Sequence, residues 1–359
     1  MHGPTEILVG GVRVAPATAL APMEGITDRP FRRLIRELGG CGLTVTEFVS
    51  SDQLGQRNRR AWQMAEIDPD ERPVSIQIYG RDPGQMARAA GFCEQLGAHL
   101  VDLNLGCPSK AVTGGCSGSA LMREPALAQA IFTAVRAAVG VPMTVKMRLG
   151  WDDDRRNAAE VARIAEGCGA AMVAVHGRTR MQMYRGAADW SAVRAVKQAV
   201  GIPVLVNGDI LTVDDALRAL AASGADGVMI GRGALRDPWI LRRVADRLAG
   251  RAPYEPPLAD RCAHLMRYFE LIAADARTEH NAVGRMKKVT GYFTRGLPYG
   301  GALREAIYHS YAIAPIEAAA RAWFARLEAE GIEDGFARVH EEQPEAHAPG
   351  DGRNLERAS

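Results

Sequence analysis

The sequence predicts an α/β fold, a (β/α)8 TIM barrel followed by a smaller all-helical C-terminal domain. The first observation behind this prediction is an alternation: short β-rich runs are separated by stretches in which apolar residues recur at helical spacing. The second observation is the position of Gly and Pro at the boundaries between elements: Gly-Val-Pro at 140–142 and Gly-Ile-Pro at 201–203 each end a helix and begin a strand. No Gly-x-Gly-x-x-Gly motif follows an early strand, which disfavours the alternative, a doubly wound sheet.

Eight runs have the length and composition of strands. In chain order, the predicted strands are 18–21, 43–48, 74–79, 100–105, 143–148, 172–176, 203–206 and 227–230. Helical spacing, with Ala, Arg and Glu between the apolar positions, predicts helices over 82–96, 125–139, 157–166, 190–200 and 212–222. Eight βα units across 17–245 are the number that closes a barrel.

The chain divides into five predicted parts. Residues 1–16 form an N-terminal segment, and residues 17–250 form the barrel, which we expect to be the catalytic domain. Pro-rich residues 251–257 read as a linker, and residues 258–330 carry the helical periodicity of a second domain. Residues 331–359 are polar and partly acidic, so we expect a disordered tail.

The composition is that of a folded globular protein: of 359 residues, 47% are hydrophobic and 24% are charged. The six cysteines form no Cys-x-x-Cys pair, so we expect neither a metal site nor a disulfide framework. No basic leader and no run of about 20 apolar residues is visible, which predicts a cytoplasmic protein without a membrane partner. No protein partner is indicated, and we expect a monomer. The net charge of +2 neither demands nor excludes a nucleic-acid partner.

Polar residues follow almost every predicted strand. Because barrel enzymes work at the C-terminal ends of their strands, these residues are the candidate site. They are Pro22-Met23-Glu24, Glu47, Gln77, Asn104 with Cys107, Lys146 with Arg148, His176 with Arg178, Asn207-Gly208-Asp209, and Gly231-Arg232-Gly233. Solvation of strand ends explains any one of them, but it explains Lys146 poorly. This lysine lies within an apolar strand, where its charge is costly unless it faces an anion or a polar cavity.

The last two strands indicate what that anion is. They end in Asn207-Gly208-Asp209 and Gly231-Arg232-Gly233, and barrels often build a phosphate site after these strands from backbone N–H groups and a cation. The sequence therefore predicts an anionic ligand that carries a phosphate.

Cys107 is the candidate for chemistry. It follows Gly106 at a strand end and precedes Pro108, and Gly114 and Gly115 make the following loop deformable. One interpretation is a reactive thiol on a mobile loop. The other is a small buried hydrophobe, because most free cysteines are buried and inert.

Seven motifs at consecutive strand ends carry a family resemblance. They are Ala21-Pro22-Met23-Glu24-Gly25, Ile76-Gln77-Ile78-Tyr79-Gly80, Asp102-Leu103-Asn104-Leu105-Gly106-Cys107-Pro108, Lys146-Met147-Arg148, His176-Gly177-Arg178-Thr179, Asn207-Gly208-Asp209 and Gly231-Arg232-Gly233. In order and spacing the chain resembles the tRNA-dihydrouridine synthase family. The resemblance implies FMN as cofactor, NADPH or NADH as reductant, and reduction of particular uridines in tRNA to 5,6-dihydrouridine. It implies hydride transfer from flavin N5 to uracil C6 and a proton from Cys107 to C5.

The resemblance also implies the cofactor contacts. Pro22, Met23 and Glu24 would line one side of the flavin ring, and Gln77 would reach its polar edge. Lys146 would lie near flavin N1 and O2, and His176 would bond the flavin or the uracil. The ribityl chain and phosphate would be held by Asn207, Gly208, Asp209, Gly231 and Arg232.

RNA contacts are predicted at two places. At the barrel mouth they are Asn104, Arg148 and Arg178, of which the two arginines could face either flavin or RNA. In the helical part, five basic residues between 285 and 304 meet no acid, and a helix would put Arg285, Lys288, Tyr292 and Arg295 on one face. An ordinary solvated helix surface explains this face equally well, and only the resemblance, in which the helical domain grips tRNA, favours RNA. The predicted contacts there are Arg285, Lys287, Lys288, Tyr292 and Arg295.

Three other functions stay open. The chain could be another FMN barrel acting on a free pyrimidine, similar to dihydroorotate dehydrogenase, although such an enzyme has no need of the basic helical face. It could be a Schiff-base aldolase that uses Lys146. It could also be a non-catalytic tRNA-binding scaffold.

Overall fold

A computed structural model describes residues 5–294 and 297–332. The chain opens with two short strands, β1 (Ile7–Val9) and β2 (Val12–Val14). The strands that follow are β3 (Thr18–Leu20), β4 (Leu43–Ser50), β5 (Val74–Tyr79), β6 (Leu100–Leu105), β7 (Met143–Arg148), β8 (Ala170–His176), β9 (Val204–Asn207) and β10 (Gly227–Ile230). Strands β3 to β10 pair in parallel, and β10 closes onto β3, so the predicted eight-stranded barrel is confirmed.

Helices lie between the strands and continue after the last one. They are α1 (Arg29–Leu38), α2 (Ser51–Gly55), α3 (Arg59–Met64), α4 (Pro83–Gln95), α5 (Lys110–Thr113), α6 (Pro125–Ala138), α7 (Ala158–Gly167), α8 (Trp190–Ala199), α9 (Val213–Ser223), α10 (Arg232–Arg236), α11 (Ile240–Leu248), α12 (Leu258–Asp275), α13 (Glu279–Phe293), α14 (Gly300–Tyr308) and α15 (Ile313–Ala329). The five helices predicted between strands are confirmed to within two residues at each end.

Strands β1 and β2 form a hairpin that the sequence analysis did not predict. This hairpin closes the end of the barrel at which the strands begin. Its turn is Gly10-Gly11, both with positive φ, and an ideal Cβ on Gly10 would lie 2.7 Å from Pro142. Pro142 directly precedes β7, so the hairpin lies at the N-terminal ends of the barrel strands. Side chains of the hairpin, including Val9 and Val14, share one buried apolar cluster with barrel residues such as Leu100.

Alternation along the strands divides the barrel interior into two layers. In β6, Leu100 belongs to the apolar cluster above the hairpin, and Asp102 and Asn104 follow on the same face because side chains alternate with period 2. In β8 the same face runs through Ala174 to His176. The lower barrel is thus packed, and the polar layer lies at the C-terminal ends of the strands.

The C-terminal helices pack on the barrel. Helix α12 lies against α1, and α13 lies against α10. One buried hydrophobic cluster runs from the barrel helices into this region, and the ring of His264 lies 4.5 Å from that of Trp239. Residues 249–257 contain no helix or strand. In the part of the chain that the structure describes, no helix is long and apolar enough to cross a membrane. Most of the predicted tail, residues 333–359, lies outside the described residues.

Candidate active site

A buried hydrogen-bond network forms the floor of the polar layer. The Gln77 amide donates to Asp102 Oδ2 at 2.5 Å and accepts from Asn104 Nδ2 at 2.9 Å. The Thr144 hydroxyl donates to the other oxygen of Asp102 at 2.5 Å. Burial raises the pKa of Asp102, against the lowering effect of these two donors and of Lys146. The network fixes which atoms of Gln77 and Asn104 face the pocket.

Asn104 also shapes the turn that carries Cys107. Its Oδ1 accepts the N–H groups of Gly106 at 2.9 Å and of Cys107 at 2.8 Å. The carbonyl of Cys107 accepts the Ser119 hydroxyl at 2.8 Å, so the loop is anchored on both sides of the thiol. The thiol itself is only half-buried and lies 3.5 Å from the Ser109 hydroxyl. Burial raises the pKa of Cys107 although Ser109 opposes the rise, so the thiol keeps its proton at neutral pH.

Cys107 differs from the core thiols of this chain. Cys93 is fully buried, and burial raises its pKa far above the usual range. Cys116, Cys168 and Cys262 are half-buried like Cys107, and what marks Cys107 is its place two residues after the end of β6, beside Lys146 and Arg148.

Two basic side chains, Lys146 and Arg148, lie beside this turn. Burial, together with the charge of Arg148, lowers the pKa of Lys146 to about 8, and Asp102 offsets part of this shift. Arg148 is buried and donates to the carbonyl oxygens of Gly106 at 2.8 Å and Met183 at 2.8 Å. Arg148 therefore ties the Cys107 turn to the loop after β8.

His176 is buried and uncharged. Burial and the neighbouring cations, with Arg148 first, lower its pKa well below the ordinary value. Its Nδ1 has no hydrogen-bond partner among the described residues. A buried polar atom without a partner is costly, and a ligand that bonds this nitrogen would remove the cost.

Asp209 organises the other side of the pocket. Its carboxylate accepts from Arg178 at 2.8 Å, from Arg232 at 2.8 Å and from the Ala188 N–H at 2.8 Å. Burial raises the pKa of Asp209, but Arg178 and the Ala188 N–H outweigh it, so the net direction is downward. One carboxylate thus serves two guanidinium groups.

Close backbone approaches complete the pocket. Gly208 has φ +111°, and an ideal Cβ there would lie 2.9 Å from Ala188 Cβ and 3.3 Å from His176 Nε2. An ideal Cβ on Gly231 would lie 3.3 Å from Met23 Sδ. Met23 therefore packs over the end of β10, and the first and last barrel strands meet at one pocket wall.

The pocket carries more positive than negative charge. Lys146, Arg148, Arg178 and Arg232 lie around His176, and Asp209 and the buried Asp102 oppose them. Unbalanced buried charge is unfavourable unless a ligand supplies the counter-charge. The arrangement fits a ligand with an anionic group near Arg232 and a polar, hydrogen-bonding part near His176, Lys146 and Gln77.

The predicted RNA contacts at the mouth have internal partners. Arg178 is 1% exposed, and Asn104 is buried in the network above. On α13, Arg285 and Lys288 contact a barrel loop, and Lys287 donates to the Tyr308 carbonyl at 2.7 Å. Tyr292 is half-buried beside Arg285 and Lys288. Arg295 lies outside the described residues, and the RNA roles of all these side chains stay predictions.

Sequence reasoning missed Asp102 and Tyr184. Asp102 alternates with Asn104 in β6, so period 2 could have placed it in the polar layer. Tyr184 lies on the loop after β8, is exposed, and has its ring 4.9 Å from the Arg232 guanidinium and edge-on to His176 at 6.4 Å. No local pattern marks that position.

A closed parallel barrel with basic side chains and a half-buried thiol at its C-terminal mouth has the arrangement of a (β/α)8-barrel enzyme. The comparison with protein families then identifies the particular one. The dihydrouridine synthase family model matches residues 19–319, and the chain belongs to that family.

Individual relatives agree with this assignment. The chain is 49% identical over 70% of its length to a probable tRNA-dihydrouridine synthase of Rhodobacter capsulatus, of which it covers 78%. It is 42% identical over 84% of its length to a probable tRNA-dihydrouridine synthase of Rickettsia conorii, of which it covers 91%. It is 46% identical over 69% of its length to tRNA-dihydrouridine synthase B of Xanthomonas axonopodis pv. citri, of which it covers 75%.

Proposed function

We propose that this chain reduces uridines in tRNA to 5,6-dihydrouridine, with FMN as its bound cofactor and NADPH or NADH as reductant. The observation that carries the proposal is the half-buried Cys107 thiol, held protonated beside a pocket with an excess of positive charge. Family membership supplies the reaction class, and the names of the relatives supply tRNA as the substrate.

The residues fit FMN. The phosphate suits the region of Arg232 and Gly208, where a cation and closely approaching backbone meet. The polar ring edge suits Gln77, Lys146 and the unpartnered Nδ1 of His176. When bound, FMN supplies the hydride that the uracil ring receives at C6.

Lys146 stabilises negative charge on the ring system. Its pKa of about 8 keeps most of the ammonium protonated at neutral pH, although burial and Arg148 oppose the charge. A fixed cation in a pocket of low dielectric favours the electron-rich form of a neighbouring ring. Uncharged His176 donates or accepts one hydrogen bond there without adding to the positive charge.

Cys107 supplies the proton. After hydride arrives at C6, the uracil carries enolate-like charge and takes a proton at C5. The Cys107 thiol is protonated at neutral pH, and its loop is anchored by Asn104 and Ser119 while Sγ stays half-exposed. The target uridine must leave its stack to reach this depth, at a cost of about a few kcal/mol that contacts elsewhere on the tRNA offset.

The test is Cys107→Ala, with Cys116→Ala in the same loop as the matched control. We expect the purified protein to bind FMN and to be reduced by NADPH in both variants. Dihydrouridine formation in an unmodified tRNA transcript, measured by mass spectrometry, is expected to fall about 10²- to 10⁴-fold in Cys107→Ala alone.

Wild-type turnover in Cys107→Ala would remove this thiol from the mechanism. Protein that binds no FMN would overturn the flavoenzyme proposal and favour a tRNA-binding scaffold. Turnover of free pyrimidines with none on tRNA would favour the dihydroorotate dehydrogenase-like alternative.

A further inference from the structure

Two basic side chains of α13 reach back across the chain to the loop after β3. Arg285 Nη2 donates to Asp28 Oδ2 at 2.8 Å, and its Nη1 donates to Asp275 Oδ2 at 2.8 Å. Lys288 Nζ donates to the carbonyl oxygen of Gly25 at 2.7 Å. Two residues of the basic face that the sequence predicted as an RNA surface, Arg285 and Lys288, are therefore engaged with the barrel.

The loop these residues hold, 21–28, is also fixed from inside. The N–H of Gly25 donates to the buried carboxyl of Glu47, so the backbone of Gly25 is held at two points, by Glu47 at its N–H and by Lys288 at its carbonyl oxygen. Thr27 closes the loop on itself, because its hydroxyl accepts the Met23 N–H at 2.9 Å. Asp28 caps α1 by accepting the N–H of Phe31 at 3.1 Å.

The same loop forms a wall of the proposed cofactor pocket. It carries Pro22 and Met23, and Met23 Sδ lies against Gly231 at the end of β10. Helix α13 also packs on α10, which starts at Arg232. One helix from outside the barrel therefore contacts both pocket elements, the loop on the ring side and the helix on the phosphate side.

We propose that Arg285 and Lys288 are positioning residues that hold the 21–28 loop in the shape that receives the FMN ring, so that the helical region sets cofactor affinity and flavin environment without touching the cofactor. The inference rests on the proposed function for the identity of the cofactor. The tip of this loop, Glu24 and Gly25, is exposed, and the hydrogen bonds from Arg285 and Lys288 tie this side of the loop to α13.

Lys287 is the matched control. It is the sequence neighbour of Lys288 on α13, but its ammonium donates to Tyr308 and lies 5.0 Å from the Tyr311 ring, within the helical region. Loss of charge from α13 is the same in Lys287→Met and Lys288→Met. Only the second variant loses a bond to the 21–28 loop.

The experiment measures FMN binding by the full chain without tRNA, by flavin fluorescence, together with the visible spectrum and midpoint potential of the bound flavin. We expect Lys288→Met and Arg285→Met to raise the Kd for FMN about tenfold, because each removes a charge-assisted hydrogen bond from the loop. Lys287→Met is expected to keep the wild-type Kd. Lys288→Arg is expected to restore both Kd and spectrum, since it can still donate to the Gly25 carbonyl.

The outcomes separate the possibilities. If Lys288→Met and Arg285→Met bind FMN with the wild-type Kd and spectrum but lose tRNA affinity and salt dependence, the two residues are RNA contacts and the inference is overturned. If Arg285→Met does not fold, Lys288→Met and its Arg rescue decide alone. If wild-type protein binds no FMN, the proposed function fails and the inference fails with it. Unchanged variants beside an FMN-binding wild type overturn the inference only.

Discussion

Glu47 makes the stability of this protein depend on pH in a way that one substitution removes. The side chain lies within β4, where the register with β5 shifts, is 7% exposed, and accepts the Gly25 N–H. Burial first, and then the charge of Asp28, raise its pKa from 4.5 to about 7, against the lowering effects of the Gly25 N–H and Arg32. The exposed Glu24 adds a smaller raising effect.

The sign and size follow from that shift. Between pH 4.5 and about 7 the folded protein binds a proton at Glu47 that the unfolded chain does not bind, so this group makes stability fall as pH rises through the interval. One pKa unit corresponds to about 1.4 kcal/mol, so the full shift corresponds to about 3 kcal/mol as an upper value. Glu47→Gln keeps an oxygen that accepts the Gly25 N–H and has no proton to lose.

We therefore expect Glu47→Gln to gain up to about 2.5 kcal/mol in unfolding free energy relative to wild type on going from pH 5 to pH 8. Urea unfolding at several pH values measures it, with both proteins at the same FMN concentration so that cofactor linkage enters both curves. Glu305→Gln, which changes an exposed carboxyl on α14, controls for net charge. Parallel stability curves for wild type and Glu47→Gln across this range would refute the reasoning.

Three other substitutions test the packing and charge of the site. Gly208→Ala places a Cβ 2.9 Å from that of Ala188 at φ +111°, so we expect a loss of about 1–3 kcal/mol in urea unfolding and weaker FMN binding; wild-type values for both would contradict the close approach. Arg32→Met leaves buried Glu71 without the guanidinium that donates to it at 2.7 Å. We expect the free energy of unfolding in urea to fall by about 3–5 kcal/mol. A loss below about 1 kcal/mol would show that this ion pair does not stabilise the fold. Asp209→Asn removes the carboxylate shared by two guanidinium groups. In a thermal unfolding assay we expect this variant to lose most stability without FMN and to recover part of that loss when FMN is saturating. A loss of stability that FMN leaves unchanged would show that this carboxylate does not belong to the cofactor pocket.

The barrel could be predicted from sequence because its signals are local. Parallel strands buried on both faces appear as short apolar runs, and a polar residue at the end of each, such as Gln77 or His176, marks where the sheet meets the pocket. The β1–β2 hairpin escaped although Gly10-Gly11 between two β-rich runs is a known hairpin signal. Its role in closing the barrel bottom depends on contact with Pro142, more than a hundred residues away.

Sequence could predict only those site residues that stand out from an apolar strand. Cys107, Lys146 and His176 stand out because a thiol or a charge interrupts an apolar strand end. The destination of Arg285 could not be predicted, because its partner Asp28 lies 257 residues earlier and helical periodicity reports a face but not what covers that face. A row of basic residues on one helix face is therefore consistent both with an RNA-binding surface and with contacts inside the protein.

The pKa shifts of Lys146 and His176 indicate that the pocket carries excess positive charge in the absence of a ligand. Burial first, and then the charge of Arg148, lower the pKa of both Lys146 and His176, so the charges of Lys146 and Arg148 repel each other and His176 stays uncharged. We expect an anionic ligand to offset this positive charge and so to raise the affinity of Lys146 for its proton. Lys146 and Arg148 lie in β7, and Arg232 begins α10. The loop after β3 is held by α13. Under the proposed function we therefore expect cofactor binding and correct seating of the C-terminal helices to stabilise one another through the same pocket wall.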